Sequence, residues 1–157
     1  MFKEVDADFY ILVDGDDTYP HEQALDIVKM LKEKKCDMVV ADRLSANFFE
    51  VNKRRFHSFG NKLINKLINF LFKPSNEEEI KDATSGYRAF NRNFVKNIKL
   101  SAEGFEVEAE MTILALKNKF KIIEIPMNYK NRPKGSKSKL NTYLDGFIIL
   151  RTIFYYY

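Results

Sequence analysis

The chain has 157 residues, 45% of them apolar, which is the size of one domain with a real core and excludes disordered, collagenous and coiled-coil classes. Lys and Arg number 26 against 22 Asp and Glu, and this net charge of +4 is too mild for a nucleic-acid footprint, so no nucleic-acid partner is expected. A single cysteine, Cys36, rules out an internal disulfide framework and a cysteine-based metal cluster, and suits a reducing compartment.

Met1 is followed by Phe-Lys-Glu-Val-Asp, with neither a basic nor an apolar leader region, so a cytoplasmic location is expected. Phe9 to Val13 reads as a buried strand that breaks at Asp14-Gly15-Asp16-Asp17. Glu22 to Lys35 has helical spacing at Leu25, Val28 and Leu31, and Met38 to Ala41 is the next strand. This β-loop-α-β opening predicts an α/β layer with a parallel sheet, whose ligand sites lie at the C-terminal ends of strands. Asp14 and Arg43 stand at two such ends.

From Phe56 to Phe72 the apolar Phe56, Phe59, Leu63, Ile64, Leu67, Ile68 and Leu71 form one helical stripe, while Asn61, Lys62, Asn65, Lys66, Asn69 and Lys73 share the opposite face. Such a helix either packs on the sheet or lies in the plane of an anionic membrane surface. Pro74 to Glu79 is a polar loop and Asp82 to Phe90 a compact motif. Glu106 to Lys119 is a helix with Val107, Met111, Leu114 and Ala115 on one side, and Phe120 to Ile125 a strand that Pro126 ends or places at an edge. Lys130 to Lys139 is a basic Gly/Ser/Pro loop. The apolar helix from Leu140 to Tyr157 is interrupted by Asp145, Gly146 and Arg151, which makes it too short and too charged to span a bilayer, and it is expected to lead toward a membrane segment.

The Asp14-Gly15-Asp16-Asp17 turn brings carboxylates close, with Gly15 expected to permit the tight fold. Crowded carboxylates repel unless a cation sits between them, which suits Mg²⁺ or Mn²⁺ shared with substrate phosphates; an Asp-rich turn with a helix cap is the alternative. Arg43 with Lys53-Arg54-Arg55, and Arg132, Lys134, Lys137 and Lys139 in the late loop, read as phosphate-binding groups or as solvated surface charge. The acidic run Glu106-Val-Glu108-Ala-Glu110 is explained equally by a helix start, where the dipole favours negative charge. His21 and His57 lack a second ligand at metal-binding spacing.

Four motifs in order resemble the family-2 glycosyltransferases: Asp14-Gly-Asp16-Asp17 after an apolar strand, Asp82-Ala-Thr-Ser85-Gly86-Tyr87-Arg88, Gly104-Phe105-Glu106 to Met111, and Ile125-Pro126 to Tyr129 leading to Arg132 and Gly135-Ser-Lys-Ser-Lys139. The pattern is most similar to the dolichol-phosphate mannosyltransferase and polyprenyl-phosphate glycosyltransferase branch. The resemblance implies a GT-A fold, a Rossmann-like α/β domain that binds a nucleoside-diphosphate sugar. That family opens with a Val-Ile-Pro-Ala-Tyr-Asn-Glu-like strand and loop, which does not occur before Asp14. Residues 1–157 are therefore expected to be the C-terminal part of a single glycosyltransferase domain, a partial GT-A unit without its first strands.

By the same resemblance, Asp14 and Asp16 hold Mg²⁺ or Mn²⁺ and the donor diphosphate, with Asp17 in support. Asp82 is the catalytic residue near the anomeric carbon of the sugar. Arg43, Arg54 and Arg55 meet the acceptor phosphate, Arg132 and Lys139 close over the donor, and Arg88 and Glu106 take part in substrate binding. The implied reaction is metal-dependent transfer with inversion to a polyprenyl or dolichyl phosphate, or to a glycan, at the cytoplasmic face of a membrane, with a homo-oligomer compatible. Two other readings stand beside it. One is a haloacid-dehalogenase-type phosphatase with Asp14 as nucleophile, which lacks the later acidic pair it needs; the other is an inactive membrane-surface or interaction fragment.

Overall fold

The computed structural model describes residues 4–48, 55–74, 78–133, 135–136 and 139–157, with side chains from residue 59 onward in the helix that begins at residue 55. Four strands form one sheet: β1 (Phe9–Leu12), β2 (Met38–Asp42), β3 (Arg88–Asn91) and β4 (Ile122–Pro126). Among the described residues five α-helices surround it: α1 (Ala24–Glu33), α2 (Arg55–Phe72), α3 (Arg92–Asn97), α4 (Val107–Lys117) and α5 (Thr142–Tyr156).

The strand order is β1-β3-β2-β4, with β3 antiparallel to both β1 and β2 and only β2 and β4 parallel. The sheet is thus mixed where the βαβ opening predicts a parallel one. The strand that intercalates is β3, which the sequence pattern hides because it is four residues long and opens on a charged Arg88 that the fold buries completely.

Alternation along the strands builds two cores. Val39, Ala41 and Ala89 face α1 and pack with Ile27, Leu31, Tyr19 and Tyr87. Tyr10, Met38, Val40 and Phe90 point to the other face, against Phe94 of α3 and Met111 and Ala115 of α4. A third cluster joins α2, α4 and α5 through Ile64, Ile68, Ala109, Ile113, Ile149 and Ile153. Helix α4 is wedged between the second and third clusters, so Ala109, Ile113 and Leu116 are buried as well as the side the sequence singles out.

Helix α2 departs from its expected division into one apolar and one polar face. Ile64 and Ile68 are buried, but Phe59 and Leu63 of the same stripe are exposed, as is Phe70. Asn61 and Asn65, expected in solvent, are buried instead. The reason lies in the segment that follows the helix: Asn65 and Asn69 bond its backbone at Ile80, Lys81 and Ala83, which places an amide edge inside. Among the described residues no helix is long and apolar enough to cross a membrane.

Candidate active site

A cavity of about 1260 Å³ opens beyond the ends of β1 and β2, walled by the Asp14 loop, Arg43, the start of α4, the 129–140 loop and the facing sides of α2 and α5. Its acidic corner is the Asp14 to Thr18 turn. Asp16 Oδ1 accepts from Thr18 N at 3.2 Å and Thr18 Oγ1 at 2.5 Å, which fixes the carboxylate in a local turn, and its Oδ2 pairs with Arg132 Nη2 at 2.5 Å. The left-handed backbone falls at Asp17 (φ 57°) and not at Gly15, because a short Asp tolerates that region. Asp17 is exposed and does not line the cavity.

Asp14 lies against Gly86: a Cβ there would stand 2.3 Å from Asp14 Oδ2, so the glycine of the Ser-Gly-Tyr-Arg motif is required by the close approach of the first motif. Desolvation and then the neighbouring Asp16 charge push the Asp14 carboxyl above its usual range, against the pull of Arg43, Arg132 and Arg88. Two hard oxygen donors under mutual repulsion fit a divalent cation. Among the described residues no cluster of three or more acidic, His or Cys side chains gathers, so such an ion would draw its remaining ligands from a phosphate-bearing substrate or water.

Arg43 follows β2 directly and is buried but for its cavity side. Its Nε donates to Asp82 Oδ2 and its Nη2 to Asp82 Oδ1, both at 2.8 Å, while its backbone N–H donates to Oδ2 at 3.1 Å. Phe48 and Tyr129 flank the guanidinium, with ring centroids at 5.0 and 5.9 Å from Cζ. Burial alone would weaken the charge, but Asp82 outweighs it and raises the pKa, so Arg43 stays protonated.

Three more of the expected site residues do not line this cavity. Asp82 is fully buried, both of its oxygens accept from Arg43 and Oδ1 also from Thr84 Oγ1, and it does not line the cavity. Arg88 is sealed beneath the motif it belongs to, donating to Ser85 O, Ala83 O and Thr112 Oγ1, which ties down the 83–85 turn. Glu106 caps Gly104 N at 3.4 Å and faces a smaller pocket beside Arg151 and Tyr155. Within the acidic run at the head of α4, the residue that lines the main cavity is Glu108, two positions on, whose carboxyl burial pushes up to about 7 despite the nearby Arg88.

Arg132 and Lys139 line the cavity, Arg54 lies outside the described residues, and only the backbone of Arg55 is described. Lys53, Lys134 and Lys137 are likewise outside them. Sequence reasoning missed Glu108, Phe48 and Tyr129 as parts of the site. The acidic run at the head of α4 was the available signal for Glu108, whereas nothing in their spacing ties the two aromatic residues to Arg43.

The open α/β sheet with its acidic turn and basic rim at strand ends defines a nucleotide-sugar transferase fold of the GT-A type. Residues 1–99 match the family described as Glycosyl transferase family 2, and the chain belongs to that family. It is 32% identical over 152 residues to Glycosyltransferase AglJ of Haloferax volcanii, covering 96% of this chain and 48% of that one. It is 28% identical over 143 residues to Dolichol-phosphate mannosyltransferase of Pyrococcus furiosus, covering 88% and 38%. Among solved structures, glucosyl-3-phosphoglycerate synthase from Mycobacterium tuberculosis in complex with phosphoglyceric acid superposes with a TM-score of 0.67 at 14% identity, over 99% of this chain and 51% of that one. The same synthase with Mn²⁺, uridine-diphosphate-glucose and phosphoglyceric acid gives a TM-score of 0.56 at 16% identity over the same shares. The chain thus spans about half the length of these relatives, or less, and the phosphatase alternative falls with its family membership.

Proposed function

We propose that this chain carries the acceptor side and the metal corner of a glycosyltransferase that moves a sugar from a nucleoside-diphosphate donor to a polyprenyl or dolichyl phosphate, with inversion. The observation that carries this reading is Arg43, a permanently charged group buried between Phe48 and Tyr129, gripped by Asp82 and presented to the same cavity as Asp14 and Asp16. A guanidinium fixed in that way is a phosphate-binding group at low entropic cost. The likeness to dolichol-phosphate mannosyltransferase supports the choice of acceptor.

In this reading the acceptor phosphate lies on Arg43 and one of its oxygens attacks the anomeric carbon from the face opposite the diphosphate. The bond from that carbon to the diphosphate oxygen breaks and its electron pair leaves with the nucleoside diphosphate, whose charge Arg132 and Lys139 offset from the cavity wall. Mg²⁺ or Mn²⁺ held by Asp14 and Asp16 would add electrostatic stabilisation of the same diphosphate. Arg132 is paired with Asp16, so it stands within reach of that charge. A phosphate acceptor needs no general base, and Asp82 is free to serve as the orienting partner of Arg43.

Glu108 favours a second reading. A carboxyl with a pKa of about 7 on the cavity wall is suited to take a proton from a hydroxyl, as a glycan acceptor would require. Incubation of the full chain with Mn²⁺, radiolabelled UDP- and GDP-sugars and either polyprenyl phosphate or oligosaccharide separates the two. Label in the lipid phase supports the phosphate acceptor, label in the oligosaccharide alone supports the hydroxyl, and absence of both transfer and Mn²⁺-dependent nucleotide binding overturns the proposal.

A further inference from the structure

Ile80 to Ala83 carries Asp82 yet belongs to no strand, and side chains account for its backbone hydrogen bonds one by one. The N–H of Ile80 donates to Asn69 Oδ1 at 2.8 Å and that of Ala83 to Asn65 Oδ1 at 3.1 Å. Between them, Lys81 N and Asp82 N donate to Glu124 Oε2 and Oε1 at 2.7 and 2.8 Å. The carbonyls of Ile80 and Lys81 accept from the amides of Asn69 and Asn65 in return. Glu124 sits on β4, and none of these three side chains lines the cavity.

We infer that Glu124 is a positioning residue for Arg43, acting through the backbone of Asp82. Two successive N–H groups aimed the same way need two acceptor oxygens on one side chain, which an ionised carboxylate has. A glutamine has one, and would set its own amide donor against the second N–H. Glu124 therefore fixes the peptide plane from which the Asp82 side chain departs. The two-pronged bond to Arg43 tolerates little rotation of that carboxylate, because fork and acceptor are both planar. Its role in the reaction rests on the proposed reading of Arg43 as the group that meets the acceptor phosphate; its role in holding Arg43 does not.

Glu124→Gln in the full chain is read in two ways. By ¹⁵N NMR at pH 8, where Glu124 is ionised, the Arg43 Nε–H should give a sharp, exchange-protected signal in the parent protein, and the substitution should raise its exchange rate at least about tenfold as the grip loosens. In transfer assays with polyprenyl phosphate, KM for the acceptor should rise about tenfold while KM for the donor and kcat stay within about twofold, a split that general destabilisation does not produce. Glu124→Asp, which keeps both oxygens but withdraws them by one methylene, carries the same test if the glutamine variant does not fold. An unchanged Arg43 signal overturns the inference, as does an equal rise of both KM values. The NMR arm uses no substrate, so a lack of transfer in the parent protein would count against the acceptor reading alone.

Discussion

A side chain at position 86 would collide with a carboxylate rather than with backbone, and that distinction decides what Gly86→Ala does. The clashing atoms are Asp14 Oδ2, Cγ and Oδ1 at 2.3 to 2.5 Å, the free end of a short side chain that can rotate away. The fold should survive, with a melting temperature within a few degrees of the parent, while the Asp14 and Asp16 pair loses its geometry. Titration calorimetry with Mn²⁺ and UDP should then show affinity lowered at least about tenfold, since such groups work only within about half an ångström of their place. At the same scale Glu108 and Glu124 are both pushed up to about 7 from an ordinary 4.5, each by burial first, and Glu124 also by the charges of Asp42 and Asp82. A carboxyl whose folded pKa is raised binds protons more tightly in the native state, so its contribution to stability is full below about pH 4.5 and is lost as pH rises through about 7. The melting temperature should therefore rise as pH is lowered from 8 to 6, and Glu108→Gln should flatten that rise in differential scanning calorimetry. No change in slope would mean that Glu108 is ordinary in solution.

Among the elements, α2 separates burial from appearance. Leu63 and Ile68 belong to one stripe by spacing, yet Leu63 is 39% exposed and Ile68 is 0% exposed in the cluster shared with α4 and α5. Ile68→Ala should cost about 2–4 kcal/mol in urea unfolding, and Leu63→Ser no more than about 0.5 kcal/mol. Equal losses would mean that the helix is turned differently on the protein. The same helix marks where sequence reading succeeds and where it stops. Strands β1, β2 and β4 and helices α1, α2, α4 and α5 are legible because local periodicity specifies them, and the strand-end positions of Asp14 and Arg43 follow. Strand β3 is not legible, since a buried Arg88 satisfied by Ser85, Ala83 and Thr112 looks like a surface charge in one dimension. Nor is the inward turn of Asn65 and Asn69, whose partners lie 11 to 18 residues away in a segment without any pattern of its own. For the site, residue types at strand ends point to phosphate chemistry, but which acid faces the cavity and which grips an arginine is decided by tertiary contacts. Asp82 accordingly grips Arg43, and Glu108 rather than Glu106 lines the cavity.

At the scale of the whole molecule, the two helices that pack in the third core cluster leave large apolar side chains exposed. Phe59 and Phe70 of α2 are 68% and 73% exposed, and Tyr143, Leu144, Phe147 and Phe154 of α5 are exposed too. Phe59 and Phe147 adjoin Gly60 and Gly146, which line the cavity, so the apolar area borders its mouth. Exposed Lys62 and Lys66 on α2 and Arg151 on α5 add positive charge to the same helices. An apolar surface with basic neighbours gains from burial in a bilayer and from attraction to anionic headgroups, and the two terms reinforce each other. A lipid-phosphate acceptor would then meet Arg43 from the membrane side. Flotation with vesicles of phosphatidylcholine and phosphatidylglycerol should carry the full chain upward, more strongly as the anionic fraction increases and less strongly at high salt. A variant with Phe59, Phe70 and Phe147 changed to Ser removes exposed side chains only, so it should keep the parent melting temperature within a few degrees and remain at the bottom of the gradient. Flotation of that variant equal to the parent, at every lipid composition, would show that this side of the protein is covered by something other than a membrane and would weaken the case for a lipid acceptor.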